Sequence, residues 1–246
     1  MNKPLGIKAY GSIPHLPGSR LGPGDHTINE GQARICLEKC HPDYEVEVQV
    51  KLDGTCVSVA RVDGKLVCLN RKGYDIDTSD NVNHWLFQDW VDENQRLFND
   101  LKEGERYVGE WLAQAHGTKY VISHNRDALP PFVVFDKMIG HERLGFWWLA
   151  SPPIQLHAKP LSTSEAWWRA VRWHQTLGQP GLPEGVIYRV TKRGKFCFIA
   201  KWVRPDFEPG CYTKTDPADW IWNYAERRAK RYLKLQGKLN ERIENN

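Results

Sequence analysis

The segment Lys51-Leu52-Asp53-Gly54-Thr55 sets an amine, a carboxylate and a turn-forming glycine side by side. A lysine that ends a strand and meets a glycine turn at once stands at the rim of a pocket, where its amine could attack phosphorus. Only the unprotonated amine attacks, so a site using Lys51 is expected to lower its pKa by burial or by neighbouring cations. Taken alone, the pattern also fits an exposed strand-end lysine beside a turn. Four further segments add complementary groups. Asn70-Arg71-Lys72-Gly73 offers a guanidinium able to grip phosphate oxygens at two points. Gly109-Glu110-Trp111 carries a carboxylate suited to ribose hydroxyls or a metal. Glu184-Gly185-Val186-Ile187 supplies another, and Phe198-Ile199-Ala200-Lys201-Trp202 a second lysine on the partner strand. Two lysines, an arginine and two carboxylates suit nucleotidyl transfer: the carboxylates hold Mg²⁺ and the cations offset phosphate charge during in-line attack.

These groups need strands to hold them. Residues 45–71 alternate polar and apolar side chains, as strands with one buried face do, and Asp63-Gly64 supplies a hairpin turn. Residues 106–112 and 131–138 read as further strands, and 185–203 as another hairpin. Apolar spacing predicts helices over 31–40, 82–101, 163–177 and 217–243. The Gly- and Pro-rich residues 1–30 read as an irregular, packed lead-in. The pattern is α+β with much antiparallel sheet in a single compact domain.

The chain has 246 residues, enough to bury a core without staples. Its six cysteines lack paired metal spacing; Cys36, Cys40 and His41 cluster locally without completing a zinc site, so plain thiols in a reducing cytosol are expected. With no signal core and no membrane-length apolar run, a soluble, intracellular protein is expected. The formal charge of +4 says little, but its distribution says more. From residue 221 onward there are seven Lys or Arg against three Glu, a surplus equal to the whole net charge.

In this order the segments resemble motifs I, Ia, III, IIIa, IV and V of the covalent nucleotidyltransferases: DNA ligases, RNA ligases and mRNA capping enzymes. Motif I would be KLDGT (51–55), Ia NRKG (70–73), III GEWL (109–112), IIIa VVFDK (133–137), IV EGVIYR (184–189) and V FIAKW (198–202). Each is modest alone; six in the right order are specific. The resemblance implies a ligase adenylylation domain of antiparallel sheets flanked by helices over 1–205, with a short helical extension over 206–246 packed on it. It makes Lys51 the AMP acceptor. Arg71 and Glu110 would contact phosphate and ribose, Phe135 would stack on adenine, Glu184 would support the metal with Glu110, and Lys201 would touch the α-phosphate. Asp53 of motif I belongs to the nucleotide site. Asp136 either acts in catalysis or orients a neighbour, and Phe135 reads equally well as a core aromatic. The implied cofactors are ATP and Mg²⁺ or Mn²⁺.

The departures steer the reading further. Motif V usually carries two lysines as K-x-K, whereas Ile199 and Val203 flank Lys201; one expected phosphate contact is therefore missing or supplied from elsewhere, with Lys195 and Arg204 as candidates. Thr55-Cys56-Val57-Ser58 follows the motif where DNA ligases place an arginine. The residues after motif V are too few and too helical for the OB-fold of DNA ligases and capping enzymes, and no extension of the NAD-dependent kind precedes motif I. These features favour an ATP-dependent RNA ligase similar to the nick-sealing phage type, in the cytoplasmic setting of a phage-encoded enzyme. The lead-in AYGSIPHLPGSR (9–20) also resembles the start of RNA ligase-like proteins. Its partners would be RNA ends or a nicked duplex, with an accessory protein as an open addition and no membrane. A minimal ATP-dependent DNA ligase is the alternative enzyme, followed by a capping guanylyltransferase; a non-catalytic polynucleotide-end binding module is the alternative without chemistry.

The last predicted helix pairs an apolar stripe (Ile221, Tyr224, Tyr232, Leu235, Leu239, Ile243) with a basic face. Arg227, Arg228, Arg231 and Lys234, with Lys230 and Lys238, could follow a phosphate backbone; the same face also reads as solvated surface. His116 and His124 flank motif III as pocket or loop histidines. Trp147, Trp148, Trp167 and Trp168 read as core or partner-facing rather than as base platforms.

Overall fold

A computed structural model of the chain describes residues 2–38, 42–122, 129–144, 155–213, 215–216 and 219–244, with the backbone alone for Gln155 and 238–244. Cys40, His41, His124, Trp147 and Trp148 fall outside these residues, as do the side chains of Lys238, Leu239 and Ile243. Two antiparallel sheets organise the fold, as the alternation predicted. The first contains β1 (Tyr44–Lys51), β7 (Gln155–His157), β8 (Gly185–Lys192) and β9 (Lys195–Val203), in the order β7-β1-β8-β9. The second contains β2 (Thr55–Val62), β3 (Lys65–Asn70), β4 (Glu105–Trp111), β5 (Phe132–Ile139) and β6 (Glu142–Leu144), in the order β3-β2-β4-β5-β6.

Each sheet has its own core. Val46, Val48 and Val50 of β1 point inward and pack with Val186, Tyr188 and Val190 of β8. Fully burying each such aliphatic side chain stabilises the fold by about 1.5–3 kcal/mol. Helices α1 (Glu30–Leu37) and α3 (Thr163–Thr176) cover this sheet through Ala33, Cys36, Ala166 and Ala170. Reciprocal bonds between Asn29 and Gln32 start α1 as a capping box, and the Ser162 side chain caps α3. Helix α2 (Val82–Glu93) lays Phe87 and Trp90 against Trp111 and Phe132 of the other sheet. At the β2–β3 turn Asp63 and Gly64 both take positive φ (50° and 72°), the turn that matches strand twist.

The lead-in is packed, as expected. Ala9, Tyr10 and Leu16 are buried, and the lead-in joins the free edge of β9: the Lys201 N–H donates to the Pro14 carbonyl, and the Leu16 N–H to the Lys201 carbonyl.

Two expectations for the C-terminal end are corrected. The last helix, α4 (Glu226–Glu244), starts nine residues later than the apolar spacing suggests. Ile221 and Tyr224 lie in a non-helical segment that bonds to Ala113 and Ala115, and Ala225, at φ 54°, ends it. Those apolar residues mimic a helical period because they dock on β4's continuation. Leu235 is 52% exposed and does not belong to a buried stripe; Tyr224 and Tyr232 of the expected stripe do pack on the core, together with Ala229 and Leu233. Among the described residues no helix is long and apolar enough to cross a membrane. The described cysteines, Cys36, Cys56, Cys68, Cys197 and Cys211, are thiols.

Candidate active site

Between the two sheets lies a cavity of about 640 Å³. Its lining includes Lys51, Asp53, Arg71, Glu110, Phe135, Glu184 and Lys201, so all seven nucleotide-site residues singled out in the sequence meet in one place. Lys51 is the last residue of β1 and pairs with Gly185, the first of β8. That register sets Glu184 beside it, and Lys51 Nζ approaches Glu184 Oε2 at 2.6 Å, with the side chains only 19% and 10% exposed. On its other side a Cβ at Gly185 would overlap the Trp202 carbonyl, so glycine permits the close approach of β9.

The turn after Lys51 is built around its own motif. Gly54 N–H donates to Glu110 Oε1 (3.0 Å), and a Cβ on Gly54 would come within 2.5 Å of the Trp111 carbonyl oxygen. Asp53 Oδ2 accepts from the N–H groups of Gly117 and Thr118, both at 2.7 Å, which ties the motif to the loop after β4. His116 in that loop lines the cavity and reaches Thr55 Oγ1 at 3.1 Å. Burial lowers its pKa, so it stands neutral near pH 7.

Phe135 reaches the cavity because β5 carries a bulge. Val108 pairs with Asp136 while Gly109 pairs with Val134, leaving Phe135 outside the ladder and re-aimed. Glycine at 109 makes room, since a Cβ there would press on the Val133 carbonyl and the Phe132 ring. Tyr10 of the lead-in meets the Phe135 ring edge-on at 5.0 Å. Asp136 turns away from the cavity and is buried. It accepts from Tyr10 Oη (2.6 Å), Arg143 Nε (3.1 Å) and an Arg189 guanidinium N–H (2.9 Å), so it orients neighbours rather than facing a substrate.

The charge balance departs from the expected one. Attack by an amine calls for a lysine of lowered pKa. Burial does act that way on Lys51, but Glu184, Glu110 and Asp53 together outweigh it, and the net shift is upward. Lys51 is thus an ammonium held by the carboxylates around it. Burial raises Glu110 to about 7 despite the attraction of Lys51, and burial raises Glu184 as well. Lys201 shifts the other way, lowered by burial and by the like charge of Lys51.

Arg71 is exposed on the loop after β3 and donates to the Gly11 carbonyl (3.3 Å) and Ser12 Oγ (3.0 Å) of the lead-in. Neither candidate for the missing K-x-K contact reaches the cavity. Lys195 sits at the far end of the β8–β9 hairpin, opposite Lys192. Arg204 bonds to the Pro183 carbonyl and Asp206 and lines a separate cavity of about 280 Å³. Lys72 and Arg189 line the main cavity in their place. Arg189 had a legible signal: Ile187 and Arg189 of β8 and Ile199 and Lys201 of β9 alternate onto one face, as period two requires. Tyr10, Gly11 and Ile13 also line it, and nothing local in the lead-in announces that.

The donor set suits a hard divalent cation. Glu110 and Glu184 offer carboxylate oxygens inside an acidic surplus that a cation would relieve. Among the described residues no group of three ligating side chains could hold a metal by itself. Mg²⁺ and its analogues are usually held by one or two carboxylates plus substrate phosphates, which fits this pair.

On the proposed basic face, Arg227, Arg231 and Lys234 are exposed. Arg228 is also exposed in part but pairs with Asp89 (3.3 Å) and Glu93 (2.8 Å) of α2, so it docks the helix rather than standing free. Trp168 is 63% exposed and Trp167 packs on Trp202 at 5.9 Å.

Among known proteins, no curated sequence matches the chain. Solved structures similar to it include an archaeal ATP-dependent RNA ligase, at 16% identity and TM-score 0.43, covering 77% of this chain and 48% of that one. A Naegleria gruberi RNA ligase determined with PPi matches at 18% identity and TM-score 0.41, covering 66% and 50%. A mutant of the Naegleria gruberi enzyme determined with ATP and Mn matches at 15% and 0.43, covering 80% and 61%. The chain thus spans about half to three fifths of the length of these proteins. The RNA ligase family model matches residues 44–203, which run from the first residue of β1 to the last of β9 and include every cavity residue outside the lead-in. The chain belongs to the RNA ligase family.

Proposed function

We propose that the chain is an ATP-dependent RNA ligase that joins 5′-phosphate and 3′-hydroxyl ends through a lysyl–AMP on Lys51. The observation that carries this is the meeting of one part-buried amine with Glu184 at 2.6 Å in a cavity that also gathers Glu110, Arg71 and Lys201. In the first step the Lys51 Nζ–Pα bond of ATP forms while the bond from Pα to its bridging oxygen breaks; pyrophosphate leaves and the amine proton is released. An RNA 5′-phosphate oxygen then attacks the same phosphorus, and Lys51 departs as the amine. Finally a 3′-hydroxyl attacks the 5′-phosphate and AMP leaves.

Within this reading Lys201 and Arg71 offset charge on the phosphates, and Glu110 takes the ribose or, with Glu184, the Mg²⁺ or Mn²⁺ ion. That ion would screen both the phosphates and the carboxylates that hold Lys51 protonated. Phe135, aimed by its bulge, suits the adenine face, and Asp53 fixes the loop beyond it. Arg227, Arg231 and Lys234 are a candidate track for the RNA ends or nicked duplex.

The test is intact-mass measurement after incubation with ATP and Mg²⁺. One AMP is expected on wild type, mapping to Lys51, and none on Lys51→Ala. An adduct on another lysine, or none at all, would sink the proposal. Sealing of nicked duplexes is expected to be faster when the 3′-hydroxyl strand ends in ribonucleotides; equal rates on an all-DNA nick would make the protein a DNA ligase instead.

A further inference from the structure

Lys201 is the one lysine of the segment 198–202, where the resemblance leads one to expect two, and its surroundings include a group from outside the family-matched residues 44–203. Asp25, in the lead-in, places Oδ1 3.8 Å from Lys201 Nζ. Its other oxygen is already engaged, accepting from the Gly22 N–H (2.9 Å) and facing His15 Nε2 at 3.1 Å. His15 is 2% exposed, and its Nδ1 lies 2.6 Å from Ser19 Oγ, which in turn accepts the Val203 N–H (2.9 Å). The Ser19 contact fixes the imidazole so that its Nε2 edge stands against the Asp25 carboxylate. The chain Val203–Ser19–His15–Asp25–Lys201 therefore begins and ends on β9. The backbone follows the same path, since His15 pairs with Lys201 and Leu16 N–H donates to the Lys201 carbonyl.

We propose that Asp25, oriented by His15 and Ser19, is a positioning residue that fixes the Lys201 ammonium at the cavity wall. Ser19 is absent from the cavity lining, and its oxygen is taken by the Val203 N–H, so the Ser–His–Asp order here is a brace and not a nucleophile with its base. The brace answers a specific need. Lys201 shares the cavity with Lys51 on β1 and Arg71 after β3, both of like charge; Glu184 before β8 and Asp25 oppose them. His15 beside it is held neutral by burial and by Lys201 itself, so it adds no further positive charge. Glu184 is committed to Lys51 at 2.6 Å, which leaves Asp25 as the carboxylate aimed at Lys201.

The role for Lys201 in phosphate contact rests on the proposed function, so the test reads Lys201 both with and without that chemistry. Acylation of the whole protein across a pH series, with modification at Lys201 quantified by mass spectrometry, needs no ligase activity. Asp25→Asn is expected to lower the Lys201 midpoint by about one pH unit, because Lys51 and Arg71 then act with less opposition. Asp25→Glu is expected to keep the wild-type midpoint. In the lysyl–AMP assay Asp25→Asn should slow the single-turnover rate by on the order of tenfold or more with a smaller change in the ATP concentration for half-maximal rate, and Asp25→Glu should recover part of it. A defect that came only from a loosened fold would relieve the burial of Lys201 and move its midpoint up, opposite to the expected shift. If Asp25→Asn melts below the assay temperature, Asp25→Ser supplies the comparison, since it too removes the carboxylate and should lower the midpoint in the same direction. An unchanged Lys201 midpoint in Asp25→Asn would overturn the proposal, whether or not lysyl–AMP forms; failure of wild type to form lysyl–AMP would overturn the proposed function alone.

Discussion

Glu110→Gln converts the charge crowding of the site into a measurable stability. Burial holds the Glu110 carboxyl at about 7 against an ordinary 4.5, with the attraction of Lys51 countered by Glu184 and Asp53. Below about pH 4.5 the group is protonated folded or unfolded and contributes no difference. As pH rises, the unfolded chain ionises while the folded chain keeps its proton, so stability falls until about pH 7 and stays reduced above it. At roughly 1.4 kcal/mol per pH unit the penalty amounts to about 3 kcal/mol. Glutamine keeps an oxygen for the Gly54 N–H, now 3.0 Å from Glu110 Oε1, and removes the ionisation. Relative to wild type, the variant should gain about 3 kcal/mol between about pH 5 and about pH 8, read from urea unfolding at the two pH values with matched slopes. A difference between the two proteins that is the same at both pH values would refute the electrostatic account of the site. A fall in lysyl–AMP formation should accompany the gain, by roughly two orders of magnitude.

Lys51→Ala should do the reverse. A strand-end lysine by itself carries little stability, but here its removal strips the counter-charge from a carboxylate cluster, so we expect destabilisation of about 3 kcal/mol near pH 8 that shrinks in acid; a flat difference in thermal melts across pH would contradict this. Gly54→Ala should block lysyl–AMP formation and cost about 1–3 kcal/mol, because its Cβ would sit 2.5 Å from the Trp111 carbonyl oxygen; a wild-type melt would show that the turn can shift. Neutralising Arg227, Arg231 and Lys234 should leave the lysyl–AMP yield intact while reducing the salt slope of RNA binding by about one for each phosphate no longer neutralised. Arg228 belongs to a separate experiment, since its pairs with Asp89 and Glu93 hold α4 on α2, and its removal should change stability by up to about 1 kcal/mol.

Much of this site can be read along the chain. Residues 44–70 declare their strands because a half-buried strand must alternate, and the Asp63-Gly64 turn declares itself because few other residues accept positive φ. The order of the lysine, arginine and carboxylate segments points to the family that residues 44–203 match, since each motif lies in or beside a strand whose local pattern is visible. The start of the last helix is misread for an equally local reason: Ile221 and Tyr224 fall at helical spacing, yet they dock on Ala113 and Ala115, a pairing no periodicity encodes.

What only the tertiary structure decided are the properties that arise between segments far apart in sequence. Lys51 stays protonated because Glu184, just before β8 of one sheet, and Glu110, on β4 of the other, both act on it; the sign of its shift is a sum over that assembly. Phe135 enters the cavity through a bulge that exists only in the pairing of β4 with β5. The lead-in, unremarkable as a string of Gly and Pro, becomes a cavity wall and a brace on Lys201 because it lies along the edge of β9. Local sequence determined which groups are present and which strands bear them. Their charge states and directions came from long-range packing, because electrostatic and steric fields depend on distance in space and not on position in the chain.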